Sequence, residues 1–185
     1  RGSLPSTIEI RQSIDPDCSH VLADPTQIHQ VIMNLCTNAY HAMRETGGEL
    51  FIQLKPVKVT QAIASQYPDL REGNFAQLTV RDSGTGMGPP TIERRFDPFY
   101  TTKKTGEGTG MGLSVVHGII QDHGGAIGVK SARGKGTTFK VFLPLVQMEG
   151  AEGLSPTEII RSGSEHILLV DDEPALAKMM SKMLK

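Results

Sequence analysis

At 185 residues the chain has room for one good-sized domain and something small beside it. Its 38% hydrophobic and 21% charged residues suit a soluble globular protein, and a formal net charge of −1 gives no electrostatic case for nucleic acid or an anionic membrane. No apolar run approaches the roughly 18 residues that span a bilayer, no signal peptide is visible, and the abrupt start at Arg1 reads as an excised fragment.

Cys18 and Cys36 lie far from any metal-ligand spacing and read as reduced structural thiols, which points to the cytoplasm. Whether a parent protein is anchored in a membrane stays open. The 20 glycines cluster, and the clusters carry information.

Ile8, Ile10 and Gln12 alternate with polar neighbours as a short edge strand does, and His20 to Leu22 reads as a second strand. Asp24-Pro25-Thr26-Gln27 predicts a helix start, with Asp24 as N-cap, Pro25 in the first turn and Gln27 completing a capping box. Ile28, Val31, Ile32, Leu35, Ala39 and Ala42 then recur at helical spacing until Gly47-Gly48 stops the helix. Leu50 to Val59 predicts a strand, residues 60–74 an irregular segment with a short helix, and Phe75 to Arg81 another strand.

A Gly-rich turn, Asp82 to Gly88, leads into a short helix from Pro89 to Arg95. Residues 96–110, rich in Thr, Lys and Gly, read as a mobile loop. Leu113, Val116, Ile119 and Ile120 mark a third helix, ended by Gly124-Gly125. Two strands follow, Ala126 to Ser131 and Thr138 to Leu143, joined by a turn at Arg133 to Gly136 and closed by Pro144. The domain therefore occupies residues 1–146. Residues 147–164 have linker composition, and residues 165–185 give a buried-strand run, Ile167 to Val170, then Asp171-Asp172 and a Met-rich helix.

Four segments carry chemistry. Asn34 and Asn38 share one helix face, and a carboxamide oxygen is a hard neutral ligand suited to Mg²⁺; alone, such a pair reads as a solvated face. In Asp82-Ser83-Gly84-Thr85-Gly86 a carboxylate at a strand end can accept from the exocyclic amine of adenine, and the glycines let backbone approach a flat ring; alone, the segment is equally a turn. Gly106 to Leu113 opens a helix, so its amides form an anion site for phosphates, although it is neither a P-loop nor a dinucleotide fingerprint. Phe96 to Lys104 places two aromatics around Pro98, anchoring a loop whose lysines reach a polyphosphate; the bland alternative is a pinned surface loop.

In this order and spacing the motifs resemble the histidine-kinase branch of the ATPase superfamily shared with gyrase, the heat-shock chaperones and mismatch-repair proteins. Asn34 to Met43 looks like the N box, Asp82 to Gly86 the first glycine box, Phe96 to Phe99 the F box, and Gly108 to Leu113 the second glycine box. Gly136-Thr137-Thr138-Phe139 resembles the final strand signature, so the likeness covers about residues 6–145.

The resemblance implies an α/β two-layer sandwich of a mixed sheet on three helices, the Bergerat-type ATP-binding fold. It implies Asn38 on Mg²⁺ with Asn34 assisting, and Asp82 reading adenine with Thr137 supporting it through water. Gly84 and Gly86 would line the base. Gly108, Thr109, Gly110, Met111, Gly112 and Leu113 would wrap the phosphates of ATP, with Lys103 or Lys104 neutralising them. The implied reaction moves the γ-phosphate of ATP to a histidine on a dimerisation and phosphoacceptor domain, in two-component signal transduction.

The tail resembles the start of a receiver domain, Asp171 and Asp172 matching its acidic pair. One strand and one helix cannot bury a core alone, so Ile167 to Val170 is expected to pack on a neighbour or to be poorly ordered. The acceptor-histidine segment has no counterpart in this sequence. The fragment is therefore expected to bind ATP with Mg²⁺ without autophosphorylating, and to be monomeric.

One departure stands out: many members carry a Lys where this chain has His41, to which no role is assigned. Rival readings are a gyrase-type ATPase, which needs a Glu where Asn34 sits, a nucleotide-binding regulatory module, and a non-enzymatic interaction domain. Asn34 cannot take a proton from water, which argues against the first.

Overall fold

The computed structural model describes residues 7–67, 69–102 and 109–146. The chain divides into two compact units, Arg1–Gln147 and Met148–Lys185, and the described residues all belong to the first. The linker and receiver-like readings of residues 147–185 lie outside them, as do Lys103, Lys104 and Gly108.

Helix α1 (Pro25–Met43) starts where the sequence predicts, because the Asp24 carboxylate accepts the Thr26 N–H at 2.7 Å and Pro25 needs no partner for a missing N–H. Its buried stripe is Val31, Leu35, Ala39 and Met43, one residue every four. The capping box is only half realised. The Asp24 N–H that such a box assigns to Gln27 donates instead to His123 Nε2, at 3.3 Å. His123 follows helix α4 (Gly112–Asp122), and its Nδ1 lies 2.7 Å from the Ile119 carbonyl. A carbonyl can only accept, so Nδ1 carries the proton and Nε2 is left to take the Asp24 N–H. This histidine ties the end of one long helix to the start of the other.

The sheet has five strands: β1 (Ile8–Ile14), β2 (Gly48–Val59), β3 (Gly73–Asp82), β4 (Ala126–Ser131) and β5 (Thr137–Pro144). Their spatial order is β1-β2-β3-β5-β4; β1 and β2 run parallel and every other pair antiparallel. Alternation puts Leu50, Val80, Phe139 and Val141 on the face covered by α1 and α4, where they form the main core with the buried stripes of both helices. On the opposite face Val59, Phe75, Ala126 and Phe142 gather beneath Tyr67 and the four-residue helix α2 (Gln61–Ala64). Removing a fully buried ring such as Phe142, 1% exposed, costs about 3–5 kcal/mol in a core of this kind.

The mixed α/β sandwich is as expected, with α1 and α4 making the helical layer. The short helix expected from Pro89 to Arg95 is α3 (Pro89–Glu93), little more than one turn. His20 to Leu22 is no strand. Val21 makes one isolated bridge to Leu145, and the Val146 N–H donates to His20 O at 2.9 Å. Three alternating residues without a continuous neighbour cannot build a ladder.

Candidate functional site

The strands and helices leave a cleft of about 370 Å³ between α1, the end of β3, α3 and the start of α4. From α1 it receives Asn34, Thr37, Asn38 and His41, spaced as one helical face, and Ala42 beside them. From β3 comes Asp82, and from the turn after it Thr85, Gly86 and Met87. Antiparallel pairing sets Thr137 of β5 directly opposite Asp82, and Phe139, on the same face of β5, also lines the cleft.

Asp82 is only 4% exposed, yet it lines this cavity. Its Oδ1 accepts the Gly84 N–H at 2.9 Å and the Thr137 N–H at 3.3 Å. Burial raises the carboxyl above its usual value, and the N–H groups of Gly84, Thr137 and Asp82 itself pull the other way without cancelling it. A carboxylate held in a low-dielectric wall is costly unless something uses it. A small polar network backs it: Ser131 Oγ donates to Gly136 O at 2.9 Å, lies 2.9 Å from Thr137 Oγ1, and accepts the Met87 N–H at 2.8 Å. Gly136, at φ 77°, is what lets the turn close there, since a Cβ would run into the Asp82 carbonyl oxygen.

At the other end Gly112, the first residue of α4, brings an uncapped helix N-terminus to the cleft. Asn34 Oδ1 would stand 3.3 Å from a Cβ at Gly112, so the carboxamide and the helix start are immediate neighbours. Thr109, Gly110 and Leu113 line the cavity with them. Gly110 (φ 70°) packs against the backbone of Phe99, where any Cβ would collide.

The two aromatics around Pro98 part company. Phe96 packs on the core and stacks on His117, ring centroids 4.6 Å apart, whereas Phe99 is 74% exposed and contributes its backbone instead. Tyr100, Thr101 and Thr102 complete the wall on this side.

Asn34, Asn38, Asp82, Gly86, Thr109, Gly110, Gly112, Leu113 and Thr137 thus meet in one cavity. Gly84 does not line it. Gly84 sits behind, where a Cβ would press on the Ala42 carbonyl at 2.6 Å, and so seats the turn on the end of α1. Met111 is 41% exposed and also lies off the cavity wall. Sequence reasoning passed over Thr37 as well as Thr91 and Arg95 of the α3 region. Thr37 was findable, since positions 34, 37, 38 and 41 repeat at helical spacing. Arg95 was not, because its placement depends on how the chain turns after α3.

Among the described residues no group of three or more His, Cys, Asp or Glu side chains could hold a metal ion. The two carboxamides instead suit an ion that arrives with a polyphosphate, since Mg²⁺ takes oxygen ligands and keeps several waters. No helix among the described residues is long and apolar enough to cross a membrane.

Residues 23–147 match the family described as histidine kinase-, DNA gyrase B-, and HSP90-like ATPase. The chain belongs to this ATPase family. The chain is 40% identical over 178 residues to the sensor kinase CckA of Brucella abortus, covering 91% of this chain and 19% of that protein. It is 37% identical over 139 residues to the sensor histidine kinase ZraS of Salmonella typhimurium, covering 75% of this chain and 26% of that one. Its fold resembles the solved catalytic domain of the histidine kinase ThkA, with a TM-score of 0.57 and 32% identity over 75% of this chain and 79% of that one. The chain thus spans between a fifth and about a quarter of the length of these two curated relatives. Domains of this family bind ATP.

Proposed function

We propose that this domain holds ATP with Mg²⁺ in the cleft and serves a protein-histidine kinase, passing the γ-phosphate to a histidine on a phosphoacceptor segment of the parent protein in two-component signalling. The observation that carries the reading is the convergence of Asn34, Asn38, Asp82 and Gly110 on one cavity of about 370 Å³.

The Gly84 and Thr137 N–H groups both donate to Asp82 Oδ1, and the second oxygen accepts from the exocyclic amine of adenine. Thr137 supports that end through water, and Gly86 lets the turn lie flat against the base, while Gly84 seats that turn on the end of α1. Asn38, with Asn34, offers carboxamide oxygens to the metal ion. When bound, that ion neutralises phosphate charge and orients the γ-phosphate. The N-terminus of α4 and the amides of Thr109, Gly110, Gly112 and Leu113 face the phosphates, and Gly108 with Lys103 or Lys104, outside the described residues, completes that end in the reading.

Asn34 stands where a hydrolase needs a base, and a carboxamide cannot take a proton from water. Attack by a histidine brought from outside fits the site better than attack by water. What the domain supplies is positioning and charge neutralisation. Residues 165–185 read as the start of a receiver domain, the partner next in a phosphorelay, and the isolated chain as a cytoplasmic monomer.

The test is incubation with labelled ATP. The isolated chain should bind ATP and retain no label, while a chain extended N-terminally to include the acceptor segment should become labelled on histidine. Fast steady hydrolysis by the isolated chain would instead favour the ATPase alternative.

A further inference from the structure

A second cavity, of about 160 Å³, opens at the outer edge of the sheet along β4. No motif in the sequence points to it. Gly128 makes it possible: a Cβ there would run into the Tyr67 ring, so its absence lets that ring lie along the strand as one wall. Tyr67 is held there by Phe142, ring centroids 4.9 Å apart. Pairing sets Gly128 opposite Lys140 and Lys130 opposite Thr138, so both lysines rise from the strands beside that wall.

Arg95 closes the far side. One of its terminal nitrogens donates to Ile92 O at 2.6 Å, and its guanidinium lies over the Phe96 ring at 4.5 Å. Its Nε is shut away from solvent with no acceptor among the described residues. Burial lowers the guanidinium pKa, the mark of a cation short of solvent.

Three cations therefore line one small cavity, and no carboxylate lines it with them. Neither lysine is in an ion pair among the described residues. Tyr67 and Thr138, which also line the cavity, carry hydroxyl groups and no negative charge. Like charges gathered without a counter-charge repel, and an anion that joins them reverses the sign of that interaction. The cavity, of about 160 Å³, has room for several waters or a tetrahedral oxyanion.

We propose that this edge cavity binds a phosphate group, held by Lys130, Lys140 and Arg95. Arg95 also lines the nucleotide cleft, so the two sites share a wall residue. An anion at the edge neutralises part of the positive charge offered to the cleft and should weaken ATP binding there; this coupling, unlike the site itself, rests on the cleft being the ATP site.

The experiment titrates the isotopically labelled 185-residue chain with inorganic phosphate, and separately with phenyl phosphate, at ionic strength held constant with sodium chloride. Amide signals of Gly128, Lys130 and Lys140 report the edge cavity, and those of Gly110 and Gly112 report the cleft. Saturable shifts at the edge amides are expected, and Lys130→Gln with Lys140→Gln, which removes two of the three charge-assisted contacts, should weaken binding by about 100-fold.

Equal affinity for the two probes marks the phosphate group alone as the ligand, and tighter binding of phenyl phosphate marks a phosphate carried on a larger molecule. Shifts confined to the cleft amides, no saturation, or an unchanged response in the lysine variant would each overturn the edge site. A separate ATP titration in phosphate-free buffer tests the cleft. Failure there would sink the nucleotide reading and leave the edge result standing.

Discussion

The main-chain N–H of Thr137 donates to Asp82 Oδ1 at 3.3 Å, across the β3–β5 pairing. The Gly84 N–H donates to the same oxygen, and in the proposed function the other oxygen meets the nucleotide. Asp82→Asn keeps an oxygen for both backbone donors but turns the other position into an NH₂, which meets the adenine amine donor to donor. Leaving that pair unmatched should cost about 1–3 kcal/mol, or roughly 5- to 150-fold in ATP affinity. The same substitution removes a charge that burial disfavours, so the empty domain should melt at a higher temperature than the parent. Calorimetric titration and a thermal melt on one preparation check both halves, and a variant that loses affinity and stability together would contradict the assignment.

The pH dependence follows from the same group. Its pKa in the folded chain lies above the usual carboxylate value, mainly through burial. The folded state therefore binds a proton more readily than the unfolded chain in the window between the two values. The penalty of the buried charge is fully present above that window and is relieved as pH falls through it. The empty domain should gain stability from Asp82 on acidification across this range while ATP binding weakens, because the protonated group loses its acceptor role. Asp82→Asn should flatten both trends. The difference between parent and variant removes the titration of ATP itself.

Much of this site is local and readable in the sequence. The Asp24 cap and the four-residue apolar stripe define α1, and a carboxylate followed by two glycines at a strand end marks the turn that carries Asp82. Thr37 shares the asparagine face by simple periodicity. What no local pattern reveals is the insertion of β5 between β3 and β4, because that pairing joins segments about 60 residues apart. The Asp82–Thr137 contact, the position of Arg95 and the edge cavity all depend on that arrangement. The His20 to Leu22 reading failed for the same reason, since a strand exists only where a neighbour runs alongside.

Asn38→Ala should weaken ATP binding in the presence of Mg²⁺ by about tenfold, the loss of one ligand to a charged group. With excess chelator the variant and parent should bind ATP equally weakly, because the carboxamide then has no ion to meet. Titrations with and without Mg²⁺ decide it. An equal loss in both conditions would make Asn38 a direct contact to the nucleotide instead.

Gly110→Ala and Gly136→Ala should separate binding from folding. Both residues have positive φ, 70° and 77°, where an L side chain is strained by about 1–2 kcal/mol. At Gly136 the new Cβ meets the Asp82 carbonyl, in the middle of the β3–β5 end of the sheet, and chemical unfolding should show a loss of more than about 2 kcal/mol. At Gly110 it meets the Phe99 backbone at the mouth of the cleft, away from the buried core. That variant should lose no more than the strain itself, about 1–2 kcal/mol, but bind ATP several-fold less tightly.

His123→Ala tests the tie between the two long helices. It removes the acceptor of the Asp24 N–H and the Nδ1 contact to Ile119 O, while the Asp24 side chain still caps Thr26. One net hydrogen bond lost between helix ends is worth about 1 kcal/mol, or a fall of roughly 3–5 °C in melting temperature for a unit of this size. Amide exchange should quicken at Asp24 and Ile28, in the first turn of α1, and stay slow at Leu35 and Ala39, whose side chains are buried in the core. ATP affinity should be unchanged, because Asn34 and Asn38 sit beyond the loosened turn. A matching loss of protection along the whole of α1 would mean that His123 supports the helix layer as a body and not only the junction at its end.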